Sequence, residues 1–554
     1  MADISQPDTN DLVAAYAFEE PRIHLGAVVD GGEPNPEAPL YMPLGMLNRH
    51  GLIAGATGTG KTKTLQLIAE QIAAAGTSVF VADMKGDLSG IAVPGQASEK
   101  LTERAKARAQ DWVSRAGTTE FFSLGGHGKG VPIRTTVTEF GPVLLSKVLG
   151  LNETQESSLS LIFHYADQSG LALLDLKDLR ALIQYLTTDG KDELKSIGGI
   201  STATAGVILR NLTQFENSGA DVFFGEPAFN VEHFLRKDSD GRGIISCLEL
   251  PGVAERPEVF STFMMWMLAE LYQVLPEVGD LPQPKLVFFL DEAHLLFKGA
   301  SSAFIDQVIQ TVRLIRSKGV GVFFITQSPK DIPADVLAQL GNRVQHALRA
   351  FTPDDAKAIK KAVATYPTTE YDLEKLLTSL GTGEAVVTVM NEKGAPSPVA
   401  YAAMRAPESS MDPAPEAEIE RIIASSQIAD QYSTVVDRES AYEILKARAE
   451  GGQVGQGESD GSSAHTEVVG DKREHADGKL FDGDKREDPE SQRDHRDPIR
   501  ALRLAVRCCF REGRRIDLRV NRGNRACHGR RNSRHGTLLH RCAADTSGAW
   551  AHGC

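Results

Sequence analysis

Short apolar runs that close on polar residues recur along this chain. Gly51-Leu-Ile-Ala54 runs straight into a glycine-rich turn. Behind the turn, Leu65, Ile68, Ala69 and Ile72 recur at three- and four-residue steps, which predicts a helix over 61–75 with one apolar face. Gly76 ends that pattern, and Ser78-Val-Phe-Val-Ala82 predicts a second buried strand closing at Asp83. Strand, glycine turn, helix, strand is a βαβ unit, so a mostly parallel sheet is expected. Further strands are predicted over 243–250, 285–290 and 320–326, with helices over 259–275 and 303–317 alternating with the last two. A run over 384–390 is expected to be a strand near the edge of the domain.

Between 141 and 220 the period changes to helices alone, over 144–149, 154–165, 176–186 and 203–215. Asn152, followed by Glu153 and Gln155, suits a helix start, as does Asp175. The organisation is therefore a sheet-forming core in two parts, 1–140 and 221–408, around an α-helical insertion at 141–220. Apolar spacing thins beyond Ser409, and 409–500 is expected to pass from helix to disorder, since few residues there can bury. Residues 501–554 hold 12 Arg and no Lys, with Cys, His and Gly arriving abruptly. That composition suggests an abnormal, out-of-frame end; a zinc-binding tail is the alternative, but the paired Cys-x2-Cys spacing is missing.

Composition changes this picture in three places. No run reaches the roughly 20 apolar residues of a membrane span, and the polar start has no signal pattern, so a cytoplasmic protein is expected. Five of the six cysteines fall after residue 500, leaving Cys247 alone in the body, as in a reducing compartment. The net charge of −14 divides into −23 over residues 1–500 and +9 over the tail. An acidic body argues against broad nonspecific nucleic-acid binding and leaves room for a local basic channel.

The chemistry concentrates at strand ends. Gly55, Ala56, Thr57, Gly58, Thr59, Gly60, Lys61 and Thr62 fit G-x4-G-K-[ST], the loop that wraps a triphosphate in backbone N–H groups ahead of a helix N-terminus. In that pattern Lys61 reaches the β- and γ-phosphates of ATP and the Thr62 hydroxyl binds Mg2+. The apolar run 285–290 ends in Asp291 and Glu292. Beside such a loop the first acid holds Mg2+ and the second polarises the attacking water. The run 320–326 ends in Gln327, placed to sense the γ-phosphate from a neighbouring strand. His294 completes the letters D-E-A-H, but the further motifs of that helicase class are not found, and a structural histidine is expected.

In order, NRHGLIAGATGTGKT, VFVADMKGD, LVFFLDEAH and RLIRSKGVGVFFITQSPKDIP resemble the HerA/FtsK superfamily of hexameric DNA-pumping ATPases, over about residues 20–405. The helical insertion and LRALIQYL make the chain most similar to the HerA-like bacterial branch. The resemblance implies a RecA-like P-loop NTPase fold, a hexameric ring, and DNA as a candidate partner. It also implies that Arg316 is an arginine finger entering a neighbouring subunit's site and that Gln327 is the sensor; Arg313 lies upstream on the same helix. Asp83, Lys85 and Asp87 match a family block of underived role. The short stretch before Gly51 leaves little room for the β-barrel of archaeal relatives. Two functions follow: a ring-forming DNA translocase or helicase, or an ATP-driven assembly or regulatory module acting on a protein partner. A small-molecule kinase fits less well, because no second substrate pocket is legible.

Overall fold

The computed structural model describes residues 6–195, 198–250, 257–298, 300 and 302–454. The disorder expected for 455–500 and the abnormal tail at 501–554 lie outside the described residues. Twelve described strands form one sheet: β1 Arg22–Asp30, β2 Glu33–Pro43, β3 Gly51–Ala54, β4 Ser78–Asp83, β5 Thr119–Leu124, β6 Val131–Ile133, β7 Ile245–Glu249, β8 Leu286–Leu290, β9 Val320–Thr326, β10 Asn342–Gln345, β11 Glu384–Thr388 and β12 Ala400–Met404. Their order is β2-β1-β12-β11-β10-β3-β9-β8-β4-β7-β5-β6. From β10 to β6 every pairing is parallel. From β10 outward to β2 every pairing is antiparallel.

The parallel strands are buried end to end because apolar side chains cover both faces. On one face Phe80, Phe122, Phe288 and Phe324 pack under the helices between β6 and β7 and under helix Pro257–Val274. On the other, Val79, Val81, Phe289, Phe323 and Ile325 meet Leu65, Ile68 and Ile72 of helix Lys61–Ala74. Period two in the strands and 3.6 in the helix thus produce the same layered core.

The predicted helical stretch is observed as helices Val137–Val148, Glu153–Gln168, Leu176–Thr187, Lys191–Lys195 and Thr202–Asn217. Asn152 and Asp175 each close a capping box, so the polar residues that marked those helix starts do so by satisfying first-turn N–H groups. The first helix is broken at Gly141, φ 77°, ahead of Pro142, which has no N–H to give to the helix.

Two expectations need correction. β11 is an interior strand, bonded to β10 on one side and β12 on the other. β12 is Ala-Tyr-Ala-Ala-Met and gave no strong apolar signal, and the β1–β2 hairpin extends the sheet beyond it. The core also does not end at Ser409. Helix Ala441–Val454 packs on Leu176–Thr187, and Ile419, Ile428, Tyr432, Ala441 and Leu445 are buried. These residues are widely spaced because each fills a gap in an existing core and builds none of its own. Tyr432 stacks near Phe229, and its hydroxyl accepts the Asn230 N–H.

Tyr432→Ala is therefore expected to destabilise the fold by about 3–5 kcal/mol, read as a lowered urea midpoint at unchanged slope. A midpoint within error of the parent would mean that residues 409–454 do not belong to the core.

Candidate active site at the carboxyl edge of the sheet

In a parallel sheet all strands point the same way, so residues that end different strands meet along one edge. Here β3, β9, β8 and β4 are consecutive neighbours. The sequence segments that follow them are Gly55–Thr62, Gln327, the Asp291–Glu292 pair and the Asp83–Asp87 block. More than two hundred positions of sequence separate the first segment from the carboxylates, yet only β9 lies between them.

The loop is fixed from below and open above. Ala56 donates its N–H to Ala347 O (2.8 Å), and Gly383 N donates to Thr59 O (3.0 Å). His346, fully buried, binds Thr64 Oγ1 through Nε2 (2.9 Å) and Glu384 O through Nδ1 (2.8 Å). Burial holds this imidazole down to about 4, so it stays neutral and serves as a strut. A side chain at Gly55 would place Cβ 2.5 Å from His346 Cβ. Gly60, φ 114°, caps helix Lys61–Ala74 with no side-chain hydrogen bond, so the helix N-terminus carries unsatisfied N–H groups. His346 was missed from sequence because β10, Asn-Arg-Val-Gln, lacks an apolar run.

The acids are buried and lopsided. Asp291 is 2% exposed, and its Oδ2 has no hydrogen-bond partner among the described residues. Burial, then the adjacent Glu292 charge, raises its carboxyl to about 7. Glu292 sits in left-handed backbone, φ 47°, uncommon for a residue with a Cβ. Burial works against its charge, but the Lys85 ammonium bound to Oε1 keeps the Glu292 carboxyl below the usual range. His294 Nδ1 lies 3.3 Å from Glu292 Oε2; the histidine expected to be structural touches the site.

Lys61 is half-buried and donates to Ala56 O of its own loop (3.2 Å). Burial lowers its ammonium, opposed by Glu292 and Asp291, which places loop and carboxylates in one electrostatic field. Gln327 is exposed at the end of β9 between them. Asp83, Asp87 and Asp291 each direct an oxygen within 4.8 Å of the others. Asp83, however, already accepts from Lys85 N, Gly86 N and Leu88 N (3.0, 2.8 and 2.9 Å), so it pins the block's backbone.

Arg316 is not brought to this edge. It is exposed in the short turn before β9, at the opposite end of that strand, beside Arg49 and Asp280. Seven residues of strand separate the two edges by about 20 Å. Arg313 is likewise exposed.

A glycine-rich loop cradled between strand and helix, with an acid pair two strands over, defines a P-loop nucleotide-binding protein of the RecA-like class. Within that class, the family model described as "Helicase HerA-like C-terminal" matches residues 30–503, and the chain belongs to that family. It is similar to "DNA double-strand break repair helicase HerA" of Sulfurisphaera tokodaii, 22% identical over 418 residues, 69% of this chain and 72% of that protein. It is also similar to "Probable helicase MJ1565" of Methanocaldococcus jannaschii, 24% identical over 348 residues. That match takes in 62% of this chain and 60% of the archaeal one, so the chain spans less than two thirds of this relative. Among solved structures, plasmid coupling protein TrwB in complex with the ATP analogue ADPNP matches with a TM-score of 0.48. It is 15% identical, with 72% of this chain and 97% of that one covered. VirB4 of Thermoanaerobacter pseudethanolicus matches with a TM-score of 0.42 at 14% identity, covering 72% and 98%. No helix among the described residues is long and apolar enough to cross a membrane.

The raised Asp291 carboxyl has a consequence for stability. Its folded value of about 7 lies above the ordinary value of 3.8. Its contribution is therefore fully present below pH 4 and lost as pH rises through 7. In EDTA without nucleotide, Asp291→Asn is expected to be more stable than the parent at pH 8 by a few kcal/mol, on the order of the linkage for such a shift. The difference should shrink at pH 5.5, read by urea denaturation. An equal difference at both pH values counts against a protonated Asp291.

Proposed function

We propose that this chain is an ATP-hydrolysing motor that works as a hexameric ring, with ATP between neighbouring subunits, and translocates on or unwinds DNA. The observation that carries the ATPase part is the meeting of the Gly55–Thr62 loop and the Asp291–Glu292 pair on one sheet edge, across β9. Thr62 and Asp291 are the residues that would hold Mg2+. The orphaned, buried Asp291 Oδ2 fits a hard cation, which no protein donor there supplies. Bound there, Mg2+ would neutralise charge on the phosphates.

The protein's own groups do the rest. The uncapped N-terminus of helix Lys61–Ala74 and the loop glycines present N–H groups to the phosphate oxygens. Lys61 has only a backbone carbonyl to leave before it reaches the β- and γ-phosphates. Glu292, kept ionised, takes the proton from the attacking water, and Gln327 orients that water from the next strand. Arg316 points from the far edge, where it can meet only another subunit's nucleotide; that placement supports a ring in which each site is completed in trans. The family membership and the similarity to archaeal proteins named as helicases support DNA as the substrate. A cytoplasmic setting accords with the described residues' lack of a membrane-spanning helix.

The −23 charge of residues 1–500 favours a second reading, an ATP-driven assembly or regulatory module acting on a protein partner. The two separate on one measurement: ATP turnover with and without duplex DNA. Stimulation by DNA supports the motor, and turnover indifferent to any nucleic acid moves the function to the protein-directed module.

Lys61→Ala is expected to abolish nucleotide binding, while Glu292→Gln retains binding and loses turnover by about 10²–10³, checked by equilibrium titration and phosphate release. Arg316→Ala should lower turnover of the assembled protein by about 10³ or more with nucleotide affinity preserved. Native turnover in that variant rules out the finger.

A further inference from the structure

The strand-end carboxylates have one cation pressed against them that the motor reading above leaves without a task. Lys85 Nζ donates to Glu292 Oε1. The two partners are held very differently. The Glu292 side chain is 8% exposed, while that of Lys85 is 51% exposed. The lysine backbone is fixed from behind, because the buried Asp83 carboxylate takes the N–H groups of Lys85, Gly86 and Leu88. Only the lysine's side chain is free to swing, on a fixed pivot, and the glutamate stays where it is.

The direction of that swing is set by its neighbours. Lys61 and Lys85 face the same pair, Asp291 and Glu292, and the Lys85 ammonium is near enough to be felt by Lys61. In a P-loop site the Walker lysine marks the β- and γ-phosphates. Lys85 follows β4, beyond β8 from the loop, so a nucleotide held by the loop would approach it with its terminal phosphate. A terminal phosphate carries more charge than one carboxylate, so it competes for this cation.

We propose that Lys85 is a γ-phosphate-dependent positioning residue for Glu292. Without a γ-phosphate, Lys85 occupies Glu292 Oε1 and keeps that oxygen from accepting a proton. When ATP binds, the ammonium transfers its hydrogen bond to a γ-phosphate oxygen, and Glu292 becomes free to accept from water. ADP, which lacks that group, leaves the pair closed. The exchange reorders hydrogen bonds and breaks no covalent bond. It rests on the ATPase reading and adds to it a test, within one subunit, for the nucleotide's third phosphate.

The experiment uses the full chain with Lys85→Met, which keeps the stem and removes the charge, and Lys85→Arg, which restores a cation. Binding of ATP and of ADP is titrated in a Glu292→Gln background, and turnover is measured with Glu292 intact. Lys85→Met is expected to weaken ATP by about tenfold or more while changing ADP less than about twofold. It should also lower kcat, because the γ-phosphate then lacks the cation that Lys85 brings to it, and Lys85→Arg should recover most of both losses. A merely structural lysine would move the two nucleotides together, so equal weakening of ATP and ADP overturns the proposal. So does native ATP discrimination and native kcat in Lys85→Met. The parent protein separates this from the broader reading: absence of ATP binding and turnover there sinks the ATPase itself, whereas an active parent with an indifferent Lys85→Met sinks only the lysine's role. Should Lys85→Met unfold, seen as a lost thermal transition, Lys85→Gln takes its place, and native preference for ATP over ADP in that folded variant overturns the proposal.

Discussion

Parallel alignment of β3, β9, β8 and β4 is the constraint on which the rest depends. Each strand pairs in register with the next, Leu52 with Phe324, Phe324 with Leu290 and Leu290 with Ala82. Four consecutive strands thus finish within two residues of one another. Whatever residue follows each strand is delivered to the same edge, with its backbone held by a buried core on both faces. That is why a loop, a carboxylate pair, a glutamine and a pinned aspartate converge without any local sequence proximity. A one-residue slip of β8 against β9 would turn every apolar side chain of that strand to the wrong face. Register is therefore protected by the whole core, and the site inherits that protection.

The edge so formed is electrically unfinished. Two adjacent acids are buried, and one of them is pushed toward its neutral form while the other is kept charged by a lysine. Lys61 is folded onto its own loop. The helix start has no side-chain cap. Each of these would be a defect in a protein with no ligand, because unsatisfied polar groups cost stability when buried. Together they suit a polyanion and a hard cation, and their locations at separate strand ends explain why no single side chain could take the place of either.

The parts of this arrangement that could be read from sequence are those written in apolar periodicity. β3, β4, β8 and β9 are uninterrupted apolar runs, and helix Lys61–Ala74 carries its stripe openly, so the loop and the acid pair could be placed on strand ends at once. β10 and β12 were not legible, because their side chains are polar or small and their strand character comes from neighbours already in place. With them went His346, which braces the loop, and the interior position of β11. Burial beyond Ser409 was invisible for a related reason: a lone Tyr432 or Leu445 among polar residues has no period, yet a preformed cavity can still take it. The role of Lys85 was hidden at another level, since an exposed lysine in a loop reads as solvated until β8 brings Glu292 beside it.

The position of Arg316 completes the geometry by its distance. A cation about 20 Å from its own loop, across a strand of seven residues, contributes nothing to catalysis within one subunit. A P-loop domain can stack against a copy of itself so that the amino edge of one sheet faces the carboxyl edge of the next, and an exposed arginine at that edge then lies over a neighbour's phosphates. The same stacking would cover the exposed Gln327 and the swinging Lys85 with another subunit's surface. Release of the Glu292 carboxylate and arrival of the neighbouring arginine would then answer to the same phosphate from opposite sides. In the proposed ring, hydrolysis would be tied to subunit contact by construction, because the edge that holds the carboxylates would be completed by the edge that holds a neighbour's arginine.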